Sequence, residues 1–486
     1  MKKVSKVGLS FFCLLLFVQS VLAENDKDLI KRHIDSRAAI YSEVAQKIWE
    51  WAEVGYLEEN SSELLKSQLR DAGFQISSGV AGIPTAFIAS WKNGSSGPAI
   101  GILAEYDALP GITQSRSPFR EPVWSVGAGH ACGHHLFGTA SVAAAIATKE
   151  WMQANRQVGE IRLYGTPAEE GGAGKVYMVR EGLFDDIDLV LHWHPSDANS
   201  ADVRSSLANK SAKFRFNGLS AHAAGSPHRG RSALDGVEAM NHMVNLMREH
   251  VPMETRIHYV ITAGGAAPNV VPDFAEVYYY VRHPEPLQVE SIFQRVVQTA
   301  EGAAIGTGTK VDFEVIHGIY NILPNVTLQE VIHSNLVEVG GVQYDAEEAA
   351  FAQALRKALP TDSPEIYDAS LVRPLTIDEQ GGGGSTDVGD VSWAVPTGGM
   401  RAATWVPGTS SHSWQAIAAG GTSIGEKGML VAAKTLAMTA VDLFTSPSLL
   451  EDVVNEYKGR LPENWNYRPL LGDRNPPLNY RLPAGR

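Results

Sequence analysis

The sequence predicts an α/β protein built on a mainly parallel sheet, with a smaller α+β unit inserted into it. Three observations carry this. Strand-like runs at 86–91, 99–104, 160–164 and 188–191 alternate with helical stretches, the pattern of parallel strands joined by helical crossovers. Near residue 213 the pattern changes to strand, helix, two strands, helix, strand. The chain has 486 residues, more than one compact core supports.

The elements follow in order. Lys2, Lys3 and Lys6 precede an apolar run from Gly8 to Val18, and Val21-Leu22-Ala23 fits a small-residue cleavage site. Residues 1–23 therefore read as an export signal, which places the mature protein in the periplasm or outside the cell. The run is too short for a comfortable membrane span, and no later stretch reads as long and apolar enough. Residues 28–73 read as helical, with Trp49, Trp51, Leu64, Leu65 and Leu69 apolar and Gly73 as a stop. The run 99–104 leads directly into Glu105-Tyr106-Asp107-Ala108-Leu109-Pro110. Residues 138–152 are Ala-rich and helical. The next two strands end in Gly165-Thr166-Pro167-Ala168-Glu169-Glu170 and in His192-Trp193-His194-Pro195. The inserted unit has strands at 213–216, 259–262 and 276–282, helices at 233–250 and 287–304, and ends near residue 319. Gly381 to Gly384 form a flexible loop before Ser385-Thr386-Asp387. The Pro-rich stretch after Leu461 reads as an irregular extension on the surface. The divisions are a main domain over 24–212 and 319–450, an inserted domain over 213–318, and an extension over 451–486.

Composition excludes some functions. The formal charge is −13, and removing three lysines with residues 1–23 leaves −16, which disfavours nucleic acid as a partner. Losing Cys13 with the leader leaves Cys132 alone, so no internal disulfide can form. A metal-bound thiolate is one physical reason to keep a lone Cys in an oxidising compartment.

The chemistry concentrates at strand ends, where open α/β sheets collect their sites. Gly129-His130-Ala131-Cys132-Gly133-His134-His135 puts a Cys and three His in seven residues. That density is metal-ligand chemistry rather than a structural cysteine beside loop histidines. An adjacent Glu pair is a weak signal alone. Bracketed by Pro167 and Gly171-Gly172, Glu169 and Glu170 can diverge, one toward a metal and one toward a substrate. His192 and His194 share a strand face, so either or both could reach a metal. His412 lies in a loop of small polar residues. His222, in Gly218-Leu219-Ser220-Ala221-His222, could supply positive charge to an oxyanion if domains or subunits close together. Arg282 ends a Tyr-rich strand and could grip a carboxylate; Asn269 sits in a Pro-flanked turn.

Together these motifs resemble the zinc-dependent amidohydrolase, aminoacylase and carboxypeptidase family with an inserted dimerisation domain, over about 28–444. The resemblance implies a metallopeptidase-like catalytic domain, an inserted dimerisation or lid domain, a homodimer, and a small amide substrate. It implies two divalent metals, with zinc expected and manganese or nickel as alternatives, held by Cys132, His134, Glu170, His194 and His412. Glu169 would be the general base and His222 an oxyanion stabiliser in the partner's site. Asn269 and Arg282 would face the substrate carboxylate, and Asp107 would orient a ligand. His130 and His135 would be supporting residues. The sequence departs from the family at Glu105, where many members have a metal-binding His, at His135, and at Ser385-Thr386-Asp387. The function expected is hydrolysis of N-acyl or N-aroyl amino acids, with a dipeptidase or carboxypeptidase, or a non-catalytic metal-dependent binding protein, as alternatives.

Overall fold

The computed structural model describes residues 25–125, 127–379 and 382–482. The leader 1–23 and Gly381 of the glycine run lie outside these. The main sheet has six strands in the order Gln75–Ser78, Phe87–Asn93, Gly159–Gly165, Ala99–Ala104, Leu189–Ser196, Thr397–Ala403. The last four are mutually parallel, and Phe87–Asn93 runs antiparallel to Gly159–Gly165. Ala99–Ala104 is buried at nearly every residue, which is why it reads as a continuous apolar run without alternation.

The helix His134–Asn155 packs on this sheet, buried along almost its whole length. Beside it lies Ser423–Thr445, which is long and apolar enough to cross a membrane, contrary to the sequence reading. Most of that helix is buried in the fold, so its apolarity serves the core.

The stretch 28–73 is three helices, Asp26–Ser36, Ala38–Trp51 and Glu59–Asp71. Arg37 and the left-handed Ala52 (φ 44°) break them; no Gly or Pro marks the first break, and Gly55 lies within the second, three residues after the helix has ended. Helix His134–Asn155 starts four residues before the predicted start. Strand Leu189–Ser196 is longer than predicted, so His192 and His194 lie within the strand rather than after it.

The inserted sheet is antiparallel, in the order Arg256–Ala263, Phe274–His283, Ala208–Asn217, Lys310–Ile319. Along Phe274–His283, Ala275, Val277, Tyr279 and Val281 are buried in a core shared with helices Ala233–Met247 and Pro286–Thr307. Tyr278, Tyr280 and Arg282 alternate onto the other face, as the period of two requires. This core is separate from the main one, and its first strand starts at Ala208, before the predicted division at 213.

The predicted division at 450/451 falls inside helix Pro447–Arg460, whose Val453 is buried in the main core. The extension beyond it is not merely surface-lying, because Leu470 and Leu471 are buried. Tyr467 Oη donates to Asp390 Oδ1 at 2.6 Å, and the Tyr320 amide donates to Oδ2 at 2.9 Å. Burial pushes the Asp390 carboxyl up to about 8. The folded state then keeps a proton that the unfolded chain releases above about pH 4, so stability falls as pH rises from about 4 to about 8. Asp390→Asn mimics the neutral acid. Its melting temperature should exceed that of wild type by much more at pH 9 than at pH 5, which thermal unfolding at the two pH values checks.

Candidate active site

The candidate residues gather where the parallel strands end. Gly133, at φ 78°, turns the chain from the Cys132 loop into helix His134–Asn155, a left-handed position that suits Gly. This aims Cys132 and His134 at the end of strand Ala99–Ala104 and at His194. Cys132 Sγ lies 3.4 Å from His194 Nε2. His194 Nδ1 lies 2.7 Å from the Pro195 carbonyl, which can only accept, so Nδ1 carries the proton and Nε2 offers its lone pair to the cluster.

His134 sits between two carboxylates. Its Nδ1 is 2.9 Å from Asp107 Oδ1, and its Nε2 is 3.1 Å from Glu105 Oε2. The Asp107 contact is a hydrogen bond. The Glu105 contact is close but not aligned for one. Asp107 also accepts the Glu170 amide at 2.9 Å, so it fixes both His134 and the acidic loop. Burial opposes charge on His134, but Cys132, Glu105 and Asp107 around it raise its pKa well above the usual value. Burial pushes the Cys132 thiol up and holds His194 well below its usual value.

Glu169 and Glu170 lie on a loop with left-handed residues at Ala168 (φ 59°), Gly171 and Ala173 (φ 58°). The pair diverges. Glu170 Oε1 is 3.1 Å from His412 Nε2. Glu169 faces Glu105 and His134, with the nearest ligand atoms of the three within 4.8 Å of one another. Burial, then the charges of Glu105, Glu170 and Asp387, raises the Glu169 pKa well above the usual carboxylate value. His412 is half exposed and held by its amide to the Ala131 carbonyl; the Glu170 carboxylate beside its ring raises its pKa.

Two residues here gave no signal in the sequence. Lys175 is fully buried, 2.7 Å from Glu105 Oε1 and 2.8 Å from Asp387 Oδ1. Glu58, also fully buried, accepts the Ala168 amide at 2.8 Å, and burial raises its carboxyl to about 8. Glu105 itself is turned toward Lys175 and His134, in the cluster.

The supporting residues are placed differently. His130 and His135 point away, to the carbonyls of Ile48 and Gly420 at 3.0 Å each. His192 packs its ring against Gly399 and, among the described residues, is in none of the ligand clusters. His222 and Asn269 lie together on the inserted unit, linked by a bridge between His222 and Val270. Arg282 reaches Ser385 Oγ at 3.3 Å, at the far end of strand Phe274–His283. Eight residues of strand separate Phe274 from Arg282, roughly 26 Å. One subunit therefore does not bring Asn269 and Arg282 to the same point.

The donor set fits divalent metal. Cys132, His134 and His194 form one triad of ligand atoms within 4.8 Å, and Cys132, Glu170 and His412 form another. Among the described residues, Glu105, Glu170 and His134 each keep a buried polar atom without a hydrogen-bond partner. Glu105 and Asp387 share one buried lysine, while Asp107, Glu169 and Glu170 add further carboxylates to the same cluster, an excess of negative charge that cations neutralise.

Comparison with known proteins agrees. A sequence profile of peptidase family M20/M25/M40 matches residues 101–416. The chain is 41% identical over 443 residues to a p-aminobenzoyl-glutamate hydrolase subunit of Escherichia coli (strain K12), covering 86% of this chain and 92% of that one. It is 30% identical over 454 residues to the Xaa-Arg dipeptidase of Mus musculus, covering 90% and 94%. A dinuclear metal-binding peptidase of Bacillus subtilis shares the fold, with a TM-score of 0.55 at 18% identity, over 87% of this chain and all of that one. With its carboxylate, thiolate and imidazole cluster at the strand ends, the chain is a metal-dependent amidohydrolase and belongs to peptidase family M20/M25/M40.

Proposed function

We propose that the protein hydrolyses the amide bond of N-acyl or N-aroyl amino acids, with p-aminobenzoyl-glutamate the first substrate to test. The observation that carries this is the division of labour in the acidic loop. Glu170 turns to His412 and Cys132, while Glu169 turns to the interior beside Glu105 and His134. The substrate class rests on the 41% identity to the Escherichia coli hydrolase subunit. Identity to the mouse Xaa-Arg dipeptidase supports a second reading, cleavage of short peptides.

Cys132, His134, Glu170, His194 and His412 would hold two divalent ions, zinc being favoured by the thiolate. Bound there, the ions polarise the scissile carbonyl and acidify water. Glu169 takes a proton from the attacking water and returns it to the leaving amine nitrogen. Asp107 keeps His134 in the tautomer that exposes Nε2. His222 Nδ1 accepts the amides of Ala224 and Gly225, so its proton is on Nε2, a donor free to face an oxyanion. Because Asn269 and His222 sit far along the strand from Arg282, the reading requires a homodimer in which they serve the partner's site. The basic and apolar leader motivates a periplasmic or secreted location.

Elemental analysis joined to a hydrolysis panel tests this. Wild type purified without chelator should carry about two divalent ions per chain. Cys132→Ala should lose at least one and at least 10²-fold in kcat/KM. A wild-type protein free of metal would sink the reading. Faster turnover of dipeptides than of N-acyl amino acids would select the second.

A further inference from the structure

The acidic loop does not hold itself. Ala168 and Ala173 are left-handed without being Gly, and so is Tyr56 (φ 67°), whose hydroxyl donates to the Gly172 carbonyl at 2.7 Å. Bulky or Cβ-bearing residues persist in that region only where surrounding contacts impose it. From one side the loop is gripped by Glu58 on the Ala168 amide and Asp107 on the Glu170 amide. From the other side the grip comes from the end of the chain.

After helix Pro447–Arg460 the extension runs back across the molecule. Trp465 donates to the Trp393 carbonyl at 3.1 Å, and Leu470 and Leu471 are buried. Arg474 donates to the carbonyls of Val315 and Ile316 on strand Lys310–Ile319, and its own carbonyl accepts Arg180 at 2.7 Å. The segment thus spans the inserted sheet and the main domain before it reaches the site. There Tyr480 Oη donates to the Glu170 carbonyl at 3.0 Å, and Arg481 donates to the same oxygen. The Tyr480 ring meets Tyr56 edge-on, at 5.6 Å between centroids, and Arg481 stacks over Tyr480. Gly55 makes room: a Cβ there would collide with the Tyr480 hydroxyl and with Ala168. The family profile ends at 416, well before this segment.

We propose that the C-terminal segment is a strap that completes the active site, with Tyr480 and Arg481 as positioning residues for the loop carrying Glu169 and Glu170. Two donors on one carbonyl fix the peptide plane just after Glu170, and so the directions in which both carboxylates point. The strap touches no reacting atom. Its anchorage on Lys310–Ile319 ties the loop to the inserted unit, so displacement of that unit would be felt at Glu170. The kinetic side of this inference rests on the amidohydrolase reading; the structural side does not.

The test uses the full chain with Tyr480→Phe, Arg481→Met, the double variant, and Arg481→Lys. Phe keeps the ring against Tyr56, and Lys keeps one donor. Hydrogen exchange of the amides of Glu170, Gly171 and Gly172 is measured in each. In the double variant these should exchange at least about 10-fold faster than wild type, while helix His134–Asn155 is unchanged. Turnover should fall about 10-fold or more in kcat with KM within about twofold, since small misplacement of reacting groups costs that much. Arg481→Lys should recover most of the loss seen in Arg481→Met. Unchanged loop exchange in the double variant overturns the strap. So does a loss confined to KM, which would make Arg481 a substrate contact. If the double variant does not fold, Tyr480→Phe alone decides by the same exchange readout. A wild type without amidase activity defeats the functional reading and leaves the exchange result to judge the strap.

Discussion

Glu169→Gln is expected to lower kcat by about 10³-fold while metal content stays at the wild-type level. The change is isosteric and removes one function, the ability to take and return a proton. Positioned general bases contribute about 10²–10⁴-fold. Glu169 is outside the two triads that contain Cys132, so its loss leaves those ligand atoms in place. Stability should not suffer either. Glu169 is partly buried beside Glu105, Glu170 and Asp387, and removing one charge from such a set relieves repulsion. The melting temperature should equal or exceed that of wild type. Steady-state kinetics, elemental analysis and calorimetry on one preparation measure all three. The result also separates an enzyme from a metal-dependent binding protein. A binding protein would lose nothing that matters with Glu169, whereas turnover surviving within 10-fold of wild type would remove the residue from the mechanism.

The parts of this molecule that are legible in the sequence are those with local causes. Strand Ala99–Ala104 is buried throughout, so its apolar run is continuous and easy to read. The Cys132 segment is dense in ligands over seven positions, and Pro167 with Gly171-Gly172 marks the acidic loop as a turn. The break at Arg37 is not legible, because no Gly or Pro marks it, and in the second break Gly55 comes only after the left-handed Ala52 has already ended the helix. The strand reads as ending at Leu191, before the histidines, yet it runs on through Pro195, which is tolerated because the neighbouring strand Ala99–Ala104 pairs only with Leu189–Leu191 and leaves that side open. The strap is invisible for another reason. Its Pro-rich, irregular composition carries no period, and its meaning lies entirely in contacts such as Tyr480 with Glu170, which are 310 positions apart.

Lys175 shows the same blindness with a larger energetic consequence, since a lysine near the start of a short helix normally points to water. Here it is fully buried between Glu105 and Asp387, and its amide donates to Asp387 as well, at 3.0 Å. Lys175→Met keeps most of the aliphatic stem and removes the charge. Two carboxylates are then left buried without their cation, a situation that costs about 3–5 kcal/mol. The unfolding free energy in denaturant should drop by that amount. Adding Glu105→Gln to Lys175→Met should restore part of it, because the loss comes from uncompensated charge and the second change removes one of the charges. Glu105→Gln alone should be milder than Lys175→Met, since Asp387 still holds the lysine. If the double variant instead loses the sum of the two single losses, Lys175 acts through packing. Restoration of stability without restoration of kcat would further separate the lysine's two duties: holding the fold together beneath the site, and opposing the burial that pushes the Glu105 carboxyl up opposite His134, where the structure places it 3.1 Å from Nε2.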